Sequence, residues 1–126
     1  MHMKVMELSR KTILVTDDDP GVQDIYKIIL EKAGYNVVVH DSGKAIMEND
    51  FDNPNIFLLD KQLSGIDGID VCRHLKSQEQ TKDIPIIMMS ASPGLATSAK
   101  NAGADDFLEK PFQLKDLLAM ITKYIH

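Results

Sequence analysis

The sequence predicts an α/β fold: a doubly wound, five-stranded parallel sheet with five helices on its two faces. Five short runs rich in Ile, Leu, Val and Met alternate with five segments of helical character, and every connection is a few residues long. Strict alternation of this kind builds parallel strands joined by crossover helices, and apolar strands suit a sheet covered on both sides.

Thr12-Ile13-Leu14-Val15-Thr16 is a β-branched, apolar run that stops at three aspartates, as a buried strand does at a polar rim. Asp19-Pro20 then supplies a cap acceptor and a proline for the first helical position. Val22, Ile25, Ile28, Ile29 and Leu30 follow at helical spacing up to Gly34. Tyr35 to Val39 reads as the second strand, and Ser42 as the cap of a helix through Ala45, Ile46 and Met47. Asn55 to Leu59 is the third strand and ends at Asp60. After a turn over Gly65 to Gly68 come a helix over 69–76 and a fourth strand over 84–89. Ser92-Pro93 is expected to cap a fourth helix, which runs through Leu95 and Ala99 to Gly103. A fifth strand, Asp106 to Glu109, and an amphipathic helix, Leu114 to Tyr124, complete the alternation.

A length of 126 residues suits one compact domain at roughly 100 to 200 residues per domain. Residues 1–10 stand apart as an N-terminal extension, with Met1-His2-Met3 readable as a cloning remnant, and residues 11–126 form the domain. With 44% hydrophobic and 26% charged residues, the composition is that of an ordinary globular protein. The net charge of −5 argues against a phosphate-backbone binder, so no direct nucleic-acid partner is expected. No apolar run approaches the roughly 18 residues of a membrane span, so no membrane partner is expected either. Cys72 is the sole cysteine, which rules out an internal disulfide and favours a reducing compartment; its place in Val71-Cys72-Arg73 suits a buried helix face.

In an open doubly wound sheet, ligands bind beyond the carboxyl ends of the strands. The chain presents Asp17, Asp18 and Asp19 after the first strand, Asp60 after the third, Ser90 after the fourth and Lys110 after the fifth. Clustered carboxylates oppose one another's ionisation unless a cation sits between them. A hard divalent ion is the best match: Mg²⁺ takes one or two carboxylates plus waters and phosphate oxygens. A carboxylate can also attack phosphorus, in chemistry that depends on positioning and on neutralising phosphoryl charge. Asp60, alone at its strand end, is the candidate nucleophile; Asp17 and Asp18 form a pair suited to metal. Lys110 would neutralise charge, and Ser90 would donate a hydrogen bond.

The set Asp17-Asp18, Leu58-Leu59-Asp60, Gly65-Ile66-Asp67-Gly68, Ser90-Ala91 and Lys110-Pro111-Phe112 resembles the response-regulator receiver family from Lys11 onward. Each piece is weak alone; five in order, each at a strand end, are specific. The resemblance implies a flavodoxin-like sheet with strand order 2-1-3-4-5. It implies Asp60 as phosphoacceptor, and Mg²⁺ on Asp17, Asp18, Asp60 and the backbone carbonyl of Gln62. Ser90 would read the phosphoryl group, Lys110 would pair with it, and Lys110-Pro111 would be a cis peptide. Phe107 falls at the switch aromatic, which would move inward as Ser90 is drawn to the phosphoryl oxygens. The implied partners are a histidine kinase or phosphotransfer protein and a downstream protein target, in the cytoplasm. The module is a switch that assists its own phosphorylation and dephosphorylation rather than an enzyme in the ordinary sense.

Ser64 departs from the family's usual proline and implies a looser acceptor loop. Gln62 is a side chain facing the site, orienting or blocking a hydrolytic water. Lys61 reads as a solvated charge. Met120 replaces an arginine used for dimer pairing in winged-helix members, so that dimer mode is not expected. Taken alone, an acidic triplet is more often a solvated turn, a strand-end serine is bonded to backbone, and a phenylalanine is plain core; His2, His40, His74 and His126 lack ligand spacing. An aspartate-nucleophile phosphohydrolase would use Asp17 and Asp19, but has Thr or Val where Gly21 stands. A docking-only receiver would lack part of the rim set, and a flavin protein would need a phosphate cradle after the first strand.

Overall fold

The computed structural model describes residues 10–63 and 65–125. The expectations for residues 1–9, for Ser64 and for His126 lie outside the described residues.

Strand β1 (Thr12–Thr16) leads into α1 (Pro20–Lys32), β2 (Asn36–His40) and the short α2 (Lys44–Met47). Next come β3 (Ile56–Asp60) and a tight hairpin of β4 (Gln62–Leu63) and β5 (Ile66–Asp67), which feeds α3 (Gly68–Lys76). The chain closes with β6 (Ile86–Ser90), α4 (Leu95–Ala102), β7 (Asp106–Glu109) and α5 (Leu114–Tyr124). The main sheet is parallel, in the order β2-β1-β3-β6-β7. Counting only its own five strands, this is the expected 2-1-3-4-5 order, with helices on both faces.

Alternation along the central strands divides the core in two. Leu14, Phe57, Leu59 and Met88 point to one face, where Ile46, Val71, Leu75, Leu95 and Ala99 from α2, α3 and α4 cover them. Ile13, Val15, Leu58 and Ile87 point to the other, against Tyr26 and Leu30 of α1 and Leu117 and Ile121 of α5. Successive strand side chains face opposite ways, so strands clothed on both sides must be apolar throughout, as β1, β3 and β6 are.

At the start of α1, Asp19 Oδ1 accepts from the amides of Gly21 and Val22 at 2.9 and 3.4 Å, with Pro20 at the first helical position. The buried stripe of α1 is Val22, Tyr26 and Leu30, spaced by four, whereas Ile25 and Ile28 face outward at 53% and 67% exposure. The helix was legible; its inner face was not.

Two expected caps are corrected. Gly43 holds the cap position of α2, while the Ser42 hydroxyl one residue earlier accepts from the Lys44 amide at 3.3 Å. Helix α4 starts two residues beyond Ser92-Pro93, after Gly94 at φ +77° and without a side-chain cap, and the Ser92 hydroxyl is engaged elsewhere. The expected turn over Gly65 to Gly68 is the end of the β4–β5 hairpin and the entry to α3, where Asp67 Oδ1 accepts from the Ile69 amide at 2.8 Å.

Candidate functional site

Four strand ends deliver the site. β1 ends in Thr16, whose hydroxyl accepts from the Asp60 amide at 3.3 Å and so fixes the end of β3 against β1. The next residue, Asp17, is buried; its Oδ1 accepts from the Asp19 amide at 3.0 Å, and Gln23 of α1 donates to its carbonyl at 2.5 Å. Asp60 is buried at the end of β3, and its Oδ1 accepts from the Gln62 amide at 2.9 Å. Ser90 is fully buried at the end of β6. Past β7, the Lys110 amide donates to the Ser90 carbonyl at 2.9 Å, and the Lys110-Pro111 peptide is cis, as expected.

Lys110 ties these ends together. Its Nζ donates to Asp60 Oδ2 in a short bond and reaches Asp17 Oδ2 at 3.3 Å. Two buried carboxylates from different strands thus share one ammonium. Burial pushes the Asp60 carboxyl above the ordinary carboxylate range and Asp17 adds to the push, while Lys110 and the Gln62 amide pull against it. Burial works to lower the Lys110 amine, but its bond to Asp60 together with the charges of Asp60, Tyr26 and Asp17 outweighs that and lifts it. Tyr26 lies beneath them, its hydroxyl 3.5 Å from Met89 Sδ, and burial raises it to about 12.

The remaining expected residues fall into place unequally. Asp18 is exposed beside Asp17. Phe107 stands on β7 in register with Met88; at 36% exposure it borders an open hollow of about 450 Å³ with Ala96, Thr97 and Lys100. Among the described residues, no group of three or more His, Cys, Asp or Glu side chains is arranged to hold a metal ion. Lys61 departs from the solvated charge expected: it pairs with Asp67 at 3.6 Å and is 25% exposed. Gln62 carries a contact its position alone did not reveal, Nε2 to Ser92 Oγ at 2.8 Å. Gly68 is required by space, since a Cβ there would lie 2.2 Å from the Asp60 carbonyl oxygen and 2.8 Å from Lys61 Cα. Thr16, Gln23 and Tyr26 were absent from the expected set. Only the strand-end place of Thr16, one residue before Asp17, offered a signal; Gln23 and Tyr26 read as helix surface and core.

A parallel sheet of this order, with acidic, hydroxyl and amine groups on its carboxyl rim, defines a doubly wound α/β domain with its candidate site at the strand ends. The chain belongs to the response regulator receiver domain family, whose model matches residues 13–122. It is 38% identical over 114 residues to the DNA-binding dual master transcriptional regulator RpaA of Synechocystis, with 86% of this chain and 46% of that protein covered. It superposes at a TM-score of 0.84 on a putative response regulator from Chloroflexus aurantiacus, 31% identical, covering 92% of this chain and 98% of that one. The TM-score is also 0.84, at 27% identity, with the receiver domain of the sensor histidine kinase PA1611 from Pseudomonas aeruginosa, where 93% and 98% are covered. That structure holds a magnesium ion in its active-site cleft. The chain spans about half the length of the curated relatives it matches.

These relatives correct one expectation. The acidic charge was read as excluding a nucleic-acid partner, yet RpaA is named a DNA-binding regulator. Net charge counts only the residues at hand, whereas in such relatives these residues match about half of the protein. The expected absence of a membrane span agrees with the helices: among the described residues none is long and apolar enough to cross a bilayer.

Proposed function

We propose that Asp60 accepts a phosphoryl group from a phosphohistidine donor, a histidine kinase or phosphotransfer protein, in a Mg²⁺-dependent reaction that changes affinity for a downstream partner. The observation that carries this reading is the Lys110 ammonium shared by Asp60 and the buried Asp17 at the sheet's carboxyl edge.

A carboxylate nucleophile must be ionised, held still and surrounded by positive charge when it meets a phosphoryl group. Lys110 and the Gln62 amide oppose the effect of burial and favour the ionised form of Asp60, and the Gln62 amide fixes Oδ1 in place. Attack by a carboxylate oxygen forms the O–P bond as the donor's N–P bond breaks, and the released imidazole takes up a proton. Lys110 would follow the phosphoryl oxygens and Ser90 would donate to one of them. Phe107, half-exposed on β7, would turn inward as Ser90 moves.

The donor set suits Mg²⁺: carboxylates of Asp17, Asp18 and Asp60 and the Gln62 carbonyl are hard oxygen ligands. Such an ion supplies positive charge to the transferring phosphoryl group. Two buried carboxylates with a single ammonium between them are an electrostatic setting that a further cation relieves.

The family relation extends the reading to output. Control of transcription at DNA, the role that the name of RpaA gives that protein, is the output this relation supports.

Intact mass after incubation with acetyl phosphate, with and without Mg²⁺, tests the chemistry. A gain of one phosphoryl group that needs Mg²⁺ and vanishes in Asp60→Ala is expected. No gain in the wild type, together with no binding of beryllofluoride, would sink the proposal in favour of a docking-only module.

A further inference from the structure

The side chain of Gln62 crosses to the opposite loop. Its Nε2 donates to Ser92 Oγ at 2.8 Å, and the Ser92 amide donates to Ser90 Oγ at 2.9 Å. The Gln62 amide meanwhile donates to Asp60 Oδ1 at 2.9 Å. One chain of hydrogen bonds therefore runs from the acceptor carboxylate, through Gln62 and Ser92, to the Ser90 hydroxyl.

We infer that Gln62 and Ser92 form a latch that holds Ser90 in its resting position, making Gln62 a positioning residue for the response to phosphorylation. This rests on Asp60 being the phosphoacceptor. The Ser90 hydroxyl is held by the amide two residues on, a local turn that sets its direction. Ser90 can follow new phosphoryl oxygens only if it abandons that amide or carries the 90–92 segment along. The first course breaks the Ser92 N–H bond, and the second strains or breaks the Gln62 bond. Beyond it, α4 starts at Gly94, at φ +77°, without a side-chain cap that would hold the segment at the helix start. The latch thus opposes the activated arrangement and lowers apparent affinity for anything that requires it.

Gln62 is exposed and Ser92 half-buried, so the bond competes with water. Losing it should shift the balance by roughly twofold to tenfold, the span of a net intramolecular hydrogen bond. The prediction concerns the binding of beryllofluoride, with saturating Mg²⁺, by wild type, Gln62→Ala, Ser92→Ala, the double variant and Ser92→Thr. Each alanine variant should bind the mimic roughly twofold to tenfold more tightly, and the double variant no more tightly than either single. Ser92→Thr, which keeps the hydroxyl, should match the wild type. The backbone carbonyl of Gln62 persists in every variant, and Mg²⁺ affinity measured separately should be unchanged.

Equal affinities across the series, or effects of the two alanine variants that add, overturn the latch. A change in Gln62→Ala alone also overturns it and assigns Gln62 a direct role at the site. If the wild type fails to bind the mimic at all, the phosphoacceptor reading falls instead. Thermal melts of each variant distinguish a lost latch from a damaged fold.

Discussion

Replacing Lys110 with methionine removes the ammonium that two buried carboxylates share while keeping much of the side chain's apolar length. At 3.3 Å from Asp17 Oδ2, such a charge attracts its partner by about 5 kcal/mol at an effective dielectric of ~20. The side chain keeps 27% exposure, and the cost of desolvating both groups returns part of that attraction, leaving a net loss of about 2–3 kcal/mol. With unfolding entropy near 2 cal/mol/K per residue, that loss lowers the melting temperature by roughly 8–11 °C for a chain of this size. The effect depends on pH. Burial holds the Asp60 carboxyl above its unfolded value, so its ionised form costs the fold stability. The penalty for losing Lys110 is therefore full at neutral and higher pH and shrinks as the pH falls through the carboxylate range and Asp60 takes up a proton. Asp60→Asn should act in the opposite direction and raise the melting temperature by a few degrees. In the Lys110→Met background it should recover the part of the loss that comes from Asp60, because the two residues are directly coupled, while the part that comes from Asp17 remains. Thermal melts from pH 8 to pH 4.5 read all of this. A Lys110→Met loss below about 2 °C, or one that is the same at both ends of the range, would refute the electrostatic account.

Gly68→Ala places a methyl group against the Asp60 carbonyl and Lys61 Cα, both backbone atoms with little room to yield. A loss of about 1–3 kcal/mol in urea unfolding is expected, along with reduced phosphoryl uptake; an unchanged midpoint would refute the crowding. Cys72 lies on the buried face of α3, its Sγ 3.5 Å from the Ala102 carbonyl, and burial raises its thiol to about 11. It should react with a thiol reagent only at the rate of opening or unfolding, and prompt labelling of the native protein would contradict this. Asp19→Ala removes the acceptor at the head of α1 and should cost roughly 0.5–2 kcal/mol, measured by the same unfolding curves.

The fold was legible because its signals are redundant. β1, β3 and β6 are apolar on both faces, and α1 is marked at both ends by Asp19-Pro20 and Gly34. Rim residues were legible for a related reason: Asp17, Asp60 and Ser90 each stand where an apolar strand stops, and Lys110 directly follows the fifth strand. What escaped was information carried by partners rather than by position. Ser92 reads locally as a helix cap, but a glutamine 30 residues away claims its hydroxyl. Lys61 reads as a surface charge until the β4–β5 hairpin folds Asp67 back beside it. The apolar residues of α1 outnumber the places available on its buried stripe, so periodicity alone could not decide that Ile28 lies outside and Tyr26 inside. Helix α2 stops after four residues, where Asn49 takes φ +58°, a turn that asparagine tolerates but does not announce.

The sequence distance between the site's charges bears on how the protein is made. Asp17 and the lysine that neutralises it are 93 positions apart. At ribosomal rates of about 5–20 residues per second, the acidic end of β1 is synthesised roughly 5–20 seconds before Lys110. During that interval the nascent chain carries Asp17 and then Asp60 without their shared ammonium and without β7 to close the sheet. A phosphate donor encountering such a chain meets carboxylates with no preorganised positive charge around them. Under the phosphoacceptor role proposed for Asp60, competence to receive a phosphoryl group arrives only after the last strand, and an unfinished chain stays silent.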